Sequence, residues 1–319
     1  MTLSIPDRWV WDFWLALDGD DWHAFYLHAP KALGDPEARH RNARIGHAVS
    51  RNLRDWQRLP DPFPAGSAGE WDDLANWTGS VVRVGAGWWM FYTGVSTVDG
   101  GNIQRIGAAT SCDLLTWEKI SLNPLCEADP SWYEKLDFDA WYEETWRDPW
   151  VFPDPNGGGF HMFVTARVAV GPAGTRGVIG HAVSADLVEW SARPPVFAPE
   201  SFGYVEVPQQ VTIDGRYYVI YSLPGDMQPG VRSEDALTGI GYAIADQPAG
   251  PFRRGPTSFV YADRLGTLYA GKIVFIDDRP MMLGTLHHGS NGRYLGGISD
   301  PIPISVSPDG SLALGSLSV

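Results

Sequence analysis

Apolar residues along this chain recur at every second position, in short runs bounded by turn residues. SVVRV, WWMFYT, FHMFVT, QQVTI, YYVIYS and KIVFI all show the pattern. A period of two predicts half-buried strands. Runs of helical period are nearly absent. Paired strand-like runs are joined by DG at 18–19, GAG at 85–87, GGG at 157–159, DG at 214–215 and DD at 277–278, the chemistry of tight hairpins.

The pattern repeats on a longer scale. IGHAVSRNLRDW begins at Ile45, IGAATSCDLLTW at Ile106, IGHAVSADLVEW at Ile179 and IGYAIADQPAGPF at Ile240. A more diverged YLGGISDPIPI begins at Tyr294. Each copy follows a short aromatic strand, and that strand follows another that ends in a turn. The unit is therefore four strands in about 60 residues, repeated five times. Four-stranded units repeated radially build a β-propeller. The expectation is all-β: one five-bladed propeller of four antiparallel strands per blade, over residues 1–319. The fifth blade is expected to draw its strands from the C-terminal stretch, with ring closure by the N-terminus weak or absent.

The first strand of each blade lines the channel of a propeller. Aligning the five first strands on their hairpins makes Asp12, Thr78, Asp148, Glu206 and about Ala270 equivalent. Three of these five are acids, so carboxylates converge on one funnel. Crowded carboxylates repel one another and resist ionisation when buried. Glycoside cleavage needs such a set, one acid and one base or nucleophile across the scissile bond. A channel-bound cation, or capping by backbone N–H groups, is the competing account. Trp11 and Trp14 flank Asp12, Trp77 precedes Thr78, and Arg147 precedes Asp148. Stacking surfaces beside bidentate donors suit a neutral polyhydroxy ligand, whereas packing between blades would equally employ a tryptophan.

Composition narrows the classes. The chain has 319 residues, 44% hydrophobic, with a net charge of −14 and a pI near 4.9. An acidic surface repels phosphate backbones, so nucleic acid is not an expected partner. No apolar run is long enough to span a bilayer, and the first residues lack the charge-then-apolar pattern of a secretion signal. A cytoplasmic location is the expectation. Two cysteines, Cys112 and Cys126, form neither a disulfide framework nor a metal-ligand cluster, and no cofactor or metal is expected.

These motifs resemble the glycoside hydrolase clan of five-bladed propellers that holds the invertases (family 32) and levansucrases (family 68). WVWDFW at 9–14, WTGS at 77–80, RDP at 147–149, and GHAVS followed by a leucine and a tryptophan at 46–56 and 180–190 carry the likeness. The resemblance implies Asp12 as nucleophile, Asp148 as stabiliser of the oxocarbenium-like transition state and Glu206 as acid/base. It implies Trp11, Trp77, Ser80 and Arg147 around the sugar, and an oligosaccharide or small glycoside as substrate. Position alone adds Trp14 beside Asp12, Tyr204 just before Glu206, and Lys272 on the inner strand of the fifth blade as further candidates to bind it. A retaining β-fructofuranosidase-like hydrolase or transferase is expected. The related family 43, which inverts at arabinose and xylose, and a non-catalytic sugar-binding propeller are the alternatives.

Other segments say less. The acidic run at 134–146 reads as a solvated loop over the funnel, with Glu143 and Glu144 as candidate acceptor contacts. HRNARIGH at 40–47 reads as an exposed basic patch near a blade edge, with contact to substrate as the alternative. His287-His288 follows the second strand of the fifth blade, where a channel cation is one conceivable partner.

Overall fold

A computed structural model describes residues 2–317. Twenty strands form five four-stranded antiparallel sheets, each in simple sequential order. Blade one holds β1 (Arg8–Asp18), β2 (Asp21–Pro30), β3 (Arg44–Ser50) and β4 (Gln57–Leu59). Blade two holds β5 (Ala75–Val84), β6 (Gly87–Val95), β7 (Arg105–Ser111) and β8 (Glu118–Lys119). Blade three holds β9 (Trp146–Pro153), β10 (Phe160–Arg167), β11 (Gly177–Ser184) and β12 (Ser191–Phe197). Blade four holds β13 (Glu206–Ile213), β14 (Arg216–Leu223), β15 (Thr238–Ala245) and β16 (Arg253–Asp263). Blade five holds β17 (Leu268–Ile276), β18 (Arg279–Leu286), β19 (Ile302–Val306) and β20 (Leu312–Leu314). The first strands pack in a ring, β1 on β5, β5 on β9, β9 on β13, β13 on β17 and β17 on β1. The structure is the five-bladed propeller that the repeat predicts.

Alternation explains where the cores lie. Each sheet is apolar on both faces, and each interface between neighbouring blades holds its own cluster. Trp14, Phe25, Met90 and Tyr92 fill the first. Phe91, Met162 and Trp146 fill the second, Phe163 and Val219 the third, Ile220 and Ile273 the fourth, and Phe13 and Leu283 the last. Burying each such large side chain contributes roughly 1.5–3 kcal/mol.

The repeated turn after the third strand has a local cause. In blade three, Ser184 Oγ accepts from the Leu187 amide at 2.8 Å, and Asp186 Oδ1 accepts from the Val188 and Glu189 amides at 2.9 Å. Leu187 is then forced to a positive φ of 71° and buried, and Trp190 Nε1 donates to its carbonyl at 3.0 Å. Asn52 and Asp113 do the same work in blades one and two. Side chains competing for backbone amides make this Ser-x-Asp/Asn-Leu-x-x-Trp turn.

Closure is short. Leu3 exchanges both backbone bonds with Ile298, at 3.1 and 3.0 Å. Ile298 in turn bridges Thr285 of β18. The N-terminus therefore adds one bridge rather than a strand to blade five.

Candidate active site

The first strand of every blade carries a bulge where its pairing with the second strand slips. The slips lie between Trp11 and Phe13, between Trp77 and Gly79, and on the β9 side between Arg147 and Trp150. In the last two blades they lie between Glu206 and Gln209 and between Tyr269 and Lys272. Asp12, Asp148, Val207 and Ala270 take positive φ values of 27°, 60°, 54° and 48° there. In a regular strand consecutive side chains face opposite ways. A bulge breaks that rule. Accordingly Trp11 with Asp12, Trp77 with Thr78, Arg147 with Asp148, and Glu206 with Val207 all line one cavity of about 600 Å³ at the end of the channel.

This register corrects the sequence alignment. Thr78, Asp148 and Ala270 are equivalent to Asp12, but in blade four that place belongs to Val207. Glu206 stands one residue earlier, level with Trp11, Trp77, Arg147 and Tyr269. The floor thus has two tiers, with Asp12 and Asp148 in the deeper one and Glu206 above them.

The amides turned inward by the bulges find partners on the preceding blade. The Asp148 amide donates to Thr93 Oγ1 at 3.0 Å, the Val207 amide to Thr165 Oγ1 at 3.0 Å, and the Ala270 amide to Ser222 Oγ at 2.9 Å. These hydroxyls end the second strands of blades two, three and four. Their recurrence in WWMFYT, FHMFVT and YYVIYS was the available signal for them.

Each acid has a distinct environment. Asp12 Oδ2 accepts from Thr78 Oγ1 at 2.6 Å. Burial raises its pKa, the Thr78 bond lowers it, and Glu206 raises it again, with a net upward shift. Asp148 Oδ2 accepts from Thr165 Oγ1 at 2.6 Å and lies 3.6 Å from Arg147 Nε. Burial dominates over Arg147 there and pushes Asp148 up to about 7. Glu206 Oε1 accepts from Arg147 Nη2 at 2.6 Å, and its other oxygen accepts from the Tyr269 hydroxyl. Burial, then the Glu206 charge, hold the Tyr269 hydroxyl well above its ordinary pKa, so it keeps its proton.

Arg147 ties the acids to the cavity wall. Its Nη1 donates to Glu143 Oε1 at 2.6 Å and to Gln104 Oε1 at 3.1 Å, and its guanidinium lies 4.7 Å over the Tyr204 ring. Burial opposes the charge, but Glu143, Glu206 and Asp148 more than offset it. The Tyr204 hydroxyl sits 2.8 Å from Glu143 Oε1 and 2.6 Å from the Tyr142 hydroxyl, and accepts from Trp141 Nε1 at 2.7 Å.

The acidic run before blade three is solvated mainly in its middle, where Asp137, Phe138 and Asp139 are exposed. Glu134 and Glu144 are both nearly inaccessible, the first paired with Arg167 and Arg176, the second with Lys135. Arg167 also lies 3.5 Å from the Trp141 ring centre, pinning the loop. Of the two adjacent candidates only Glu143 reaches the cavity, while Glu144 points into its own loop.

Of the residues expected around a sugar, Trp11, Trp77, Arg147 and Tyr204 line the cavity, with Asp12, Asp148 and Glu206. Trp14, Ser80 and Lys272 do not. They lie two residues further along their strands, in a tier beneath the floor. Trp14 is fully buried between blades, and Ser80 Oγ accepts from the Val151 amide at 3.0 Å. Lys272 Nζ donates to the Val207 and Pro208 carbonyls at 3.1 and 3.2 Å and lies over Trp150. Burial lowers its pKa to about 8, while Asp148 and Asp12 work to raise it.

The reading of 40–47 as an exposed basic patch holds for His40 and Arg41 but not for Arg44 and His47. His40 lines the cavity, together with Arg39 just before it, and His47 is buried against His23 at 2.9 Å. His287 and His288 line the cavity too. Tyr142 and Tyr269 are further lining residues that the repeat did not flag.

A five-bladed ring with three acids and an arginine on its floor defines a class, the glycoside hydrolase propellers. The model of the "Glycosyl hydrolases family 32 N-terminal domain" matches residues 14–284, and the chain belongs to that family. The match begins just after Asp12. Among solved structures, an inulosucrase from Halalkalicoccus jeotgali bound to kestose superposes with a TM-score of 0.80 at 22% identity, covering 98% of this chain and 89% of that one. A levansucrase from Gluconacetobacter diazotrophicus gives 0.78 at 19% identity, covering 98% and 81%. A family 32 β-fructofuranosidase from Bombyx mori gives 0.71 at 19% identity, covering 99% and 64%. At such identities the structures show the shared fold. A bifunctional 6(G)-fructosyltransferase/2,1-fructan:2,1-fructan 1-fructosyltransferase from Allium cepa is 34% identical over 113 residues, which span 34% of this chain and 17% of that enzyme.

Proposed function

We propose that this protein is a retaining enzyme acting on β-fructofuranosides, with the glycosyl group passed to water or to a second sugar. The observation that carries the reading is the convergence of Asp12, Asp148 and Glu206 on one cavity floor, bridged by Arg147. Family membership and the names of the similar proteins, which include a bifunctional fructosyltransferase, a levansucrase and a β-fructofuranosidase, support the choice of sugar.

In this reading Asp12 attacks the anomeric carbon and the glycosidic C–O bond breaks. Glu206, entering this step in its protonated form, gives its proton to the leaving oxygen, and a covalent glycosyl ester to Asp12 results. Glu206 then takes a proton from the incoming water or hydroxyl, which displaces Asp12. Asp148, in its ionised form, faces the positive charge that builds on the ring. Arg147 orients both Glu206 and Asp148, and the Thr78 hydrogen bond fixes the attacking carboxylate. Trp11 and Trp77 offer apolar walls to the C–H faces of the sugar.

The test is Asp12→Asn against a panel of fructosides, arabinofuranosides and galactofuranosides. Loss of roughly 10³-fold or more in kcat on fructosides is expected, with wild-type product first formed as the β-anomer by NMR. Unchanged turnover in Asp12→Asn, or an inverted first product, rejects the mechanism.

A further inference from the structure

The cavity has two unlike walls. Arg147, Glu143, Tyr204 and half-exposed Tyr142 gather at Glu206. The other wall holds Arg39 and His40 against Trp11, which sits next to Asp12, and runs on through Tyr294 to His287 and His288. Arg39 comes from the 3-10 turn Pro36–Asn42 between β2 and β3. It is 4% exposed, stacks over the Tyr294 ring at 4.3 Å and lies 5.6 Å from Trp11. The His287 ring stacks on Tyr269, 5.3 Å between centroids, and meets His288 edge-on at 4.4 Å.

This wall is built yet incompletely bonded. Arg39 Nη1 donates to the Pro36 carbonyl at 2.9 Å and to Glu37 Oε1 at 2.7 Å, but buried Nε has no protein partner among the described residues. The same is true of buried His287 Nδ1 and His288 Nδ1. Buried polar atoms without partners are rare in folded proteins, and three in one cavity wall require an explanation.

The chemistry of the missing partner can be read from the set. A cation is opposed by the Arg39 guanidinium. An anion meets Glu37 on that guanidinium, and Asp12, Asp148 and Glu206 on the floor. Burial, and then the neighbouring His288 and Arg39 charges, keep the His287 imidazole neutral. One N–H donor beside two imidazoles, whose Nδ1 atoms donate or accept according to tautomer, fits groups that do both. Hydroxyl groups of a neutral sugar are such groups.

Which sugar follows from the reaction. The leaving group must lie against the acid and the glycone against the nucleophile. We propose that Arg39, His287 and His288 are specificity residues that hydrogen-bond hydroxyls of the glycone, at its end away from the scissile bond. The inference rests on Asp12 and Glu206 having the roles given above.

A coupling experiment tests it with a readout that a merely structural role would not move. kcat/KM is measured for wild type, His287→Ala and His287→Gln on a β-fructofuranoside and on its monodeoxy analogues, with melting curves to establish folding. Free fructose and the monodeoxy fructoses are titrated into the same proteins by calorimetry. His287→Ala is expected to lose roughly 5- to 150-fold on the parent sugar. One analogue loses a similar factor with wild type and almost nothing more with the variant, and glutamine restores part of the loss. Folded His287→Ala whose losses multiply with those of every analogue overturns the inference. Calorimetric coupling without any fructoside cleavage would support the recognition wall while rejecting the reaction. Asp12-dependent cleavage without coupling would do the reverse, and absence of both binding and cleavage removes the two together.

Discussion

Asp148→Asn offers a direct test of how burial shapes this site. The carboxylate is 5% exposed, and its pKa is pushed from 3.8 to about 7. An acid with a raised native pKa binds more protons folded than unfolded. Its stabilising contribution is complete below the unfolded value and is lost as pH rises through about 7. A shift of roughly 3 units at 1.36 kcal/mol each sets an upper bound near 4 kcal/mol for what ionised Asp148 costs the fold above that pH. Asparagine removes the charge and can still accept from Thr165 and the Val207 amide through its carbonyl oxygen. Arg147 loses one carboxylate at 3.6 Å but keeps Glu143 and Glu206, both at 2.6 Å. The net gain is therefore about 1–3 kcal/mol, or roughly 2–6 °C in Tm. Thermal melts of both proteins from pH 4 to pH 8.5 should show a Tm difference that is greatest above pH 7 and fades towards pH 4. Activity should fall sharply in the same variant. A lower Tm at pH 8, or a difference independent of pH, would refute the claim that burial raises this acid.

Two further perturbations probe the supports of the site. Lys272→Met removes a charge that helps keep Asp12 ionised and strips the Val207 and Pro208 carbonyls of their donor; a stability loss of about 1–3 kcal/mol is expected, with the acidic limb of the kcat/KM profile moved to higher pH, and an unmoved limb would show that the ammonium does not act on Asp12. In the pairs His23–His47 and His161–His181, whose Nδ1 and Nε2 atoms meet at 2.9 and 3.0 Å, burial holds His47 and His181 at about 3; that stability is present above the unfolded value of 6.5 and is lost as pH falls, up to roughly 4 kcal/mol per ring, so Tm should drop between pH 6.5 and 4 and drop less in the His47→Phe/His181→Phe double variant.

The repeat made the architecture legible because alternation and turn chemistry are local. Ser184, Asp186, Leu187 and Trp190 write their turn within seven residues, and the same pattern at 50–56 and 111–117 marks three of the five blades. Asp12 and Asp148 were legible because each blade offers one equivalent channel position, and Glu206 lies one residue before it. What the sequence could not show was depth. A period of two gives the face of a strand and not its tier, so Trp14, Ser80 and Lys272 read as funnel residues although they lie beneath the floor. The bulges were hidden as well, because their positive φ values fall on Asp, Val and Ala rather than on glycine. That is why Glu206 was aligned one residue out. The Arg39 wall comes from a connection whose place over Trp11 and Tyr294 depends on contacts between blades one and five, remote in sequence.

The bulges also explain how one scaffold holds three acids close together without collapsing into ordinary sheet. A residue kept at positive φ without being glycine costs of order 1–3 kcal/mol. A regular strand would relieve that strain at Asp148, and would also turn either Arg147 or Asp148 away from the cavity. The inward amides instead bond to Thr93, Thr165 and Ser222, so reverting to regular pairing would sacrifice those bonds. Thr165 does more than hold the backbone. It accepts from the Val207 amide and donates to Asp148, coupling the bulge that presents Glu206 to the acid of the neighbouring blade. Lys272 grips the same bulge from below through two carbonyls. The position of Glu206 is thus set by blades three and five together, and its geometry relative to Asp148 is a property of the ring rather than of any one blade.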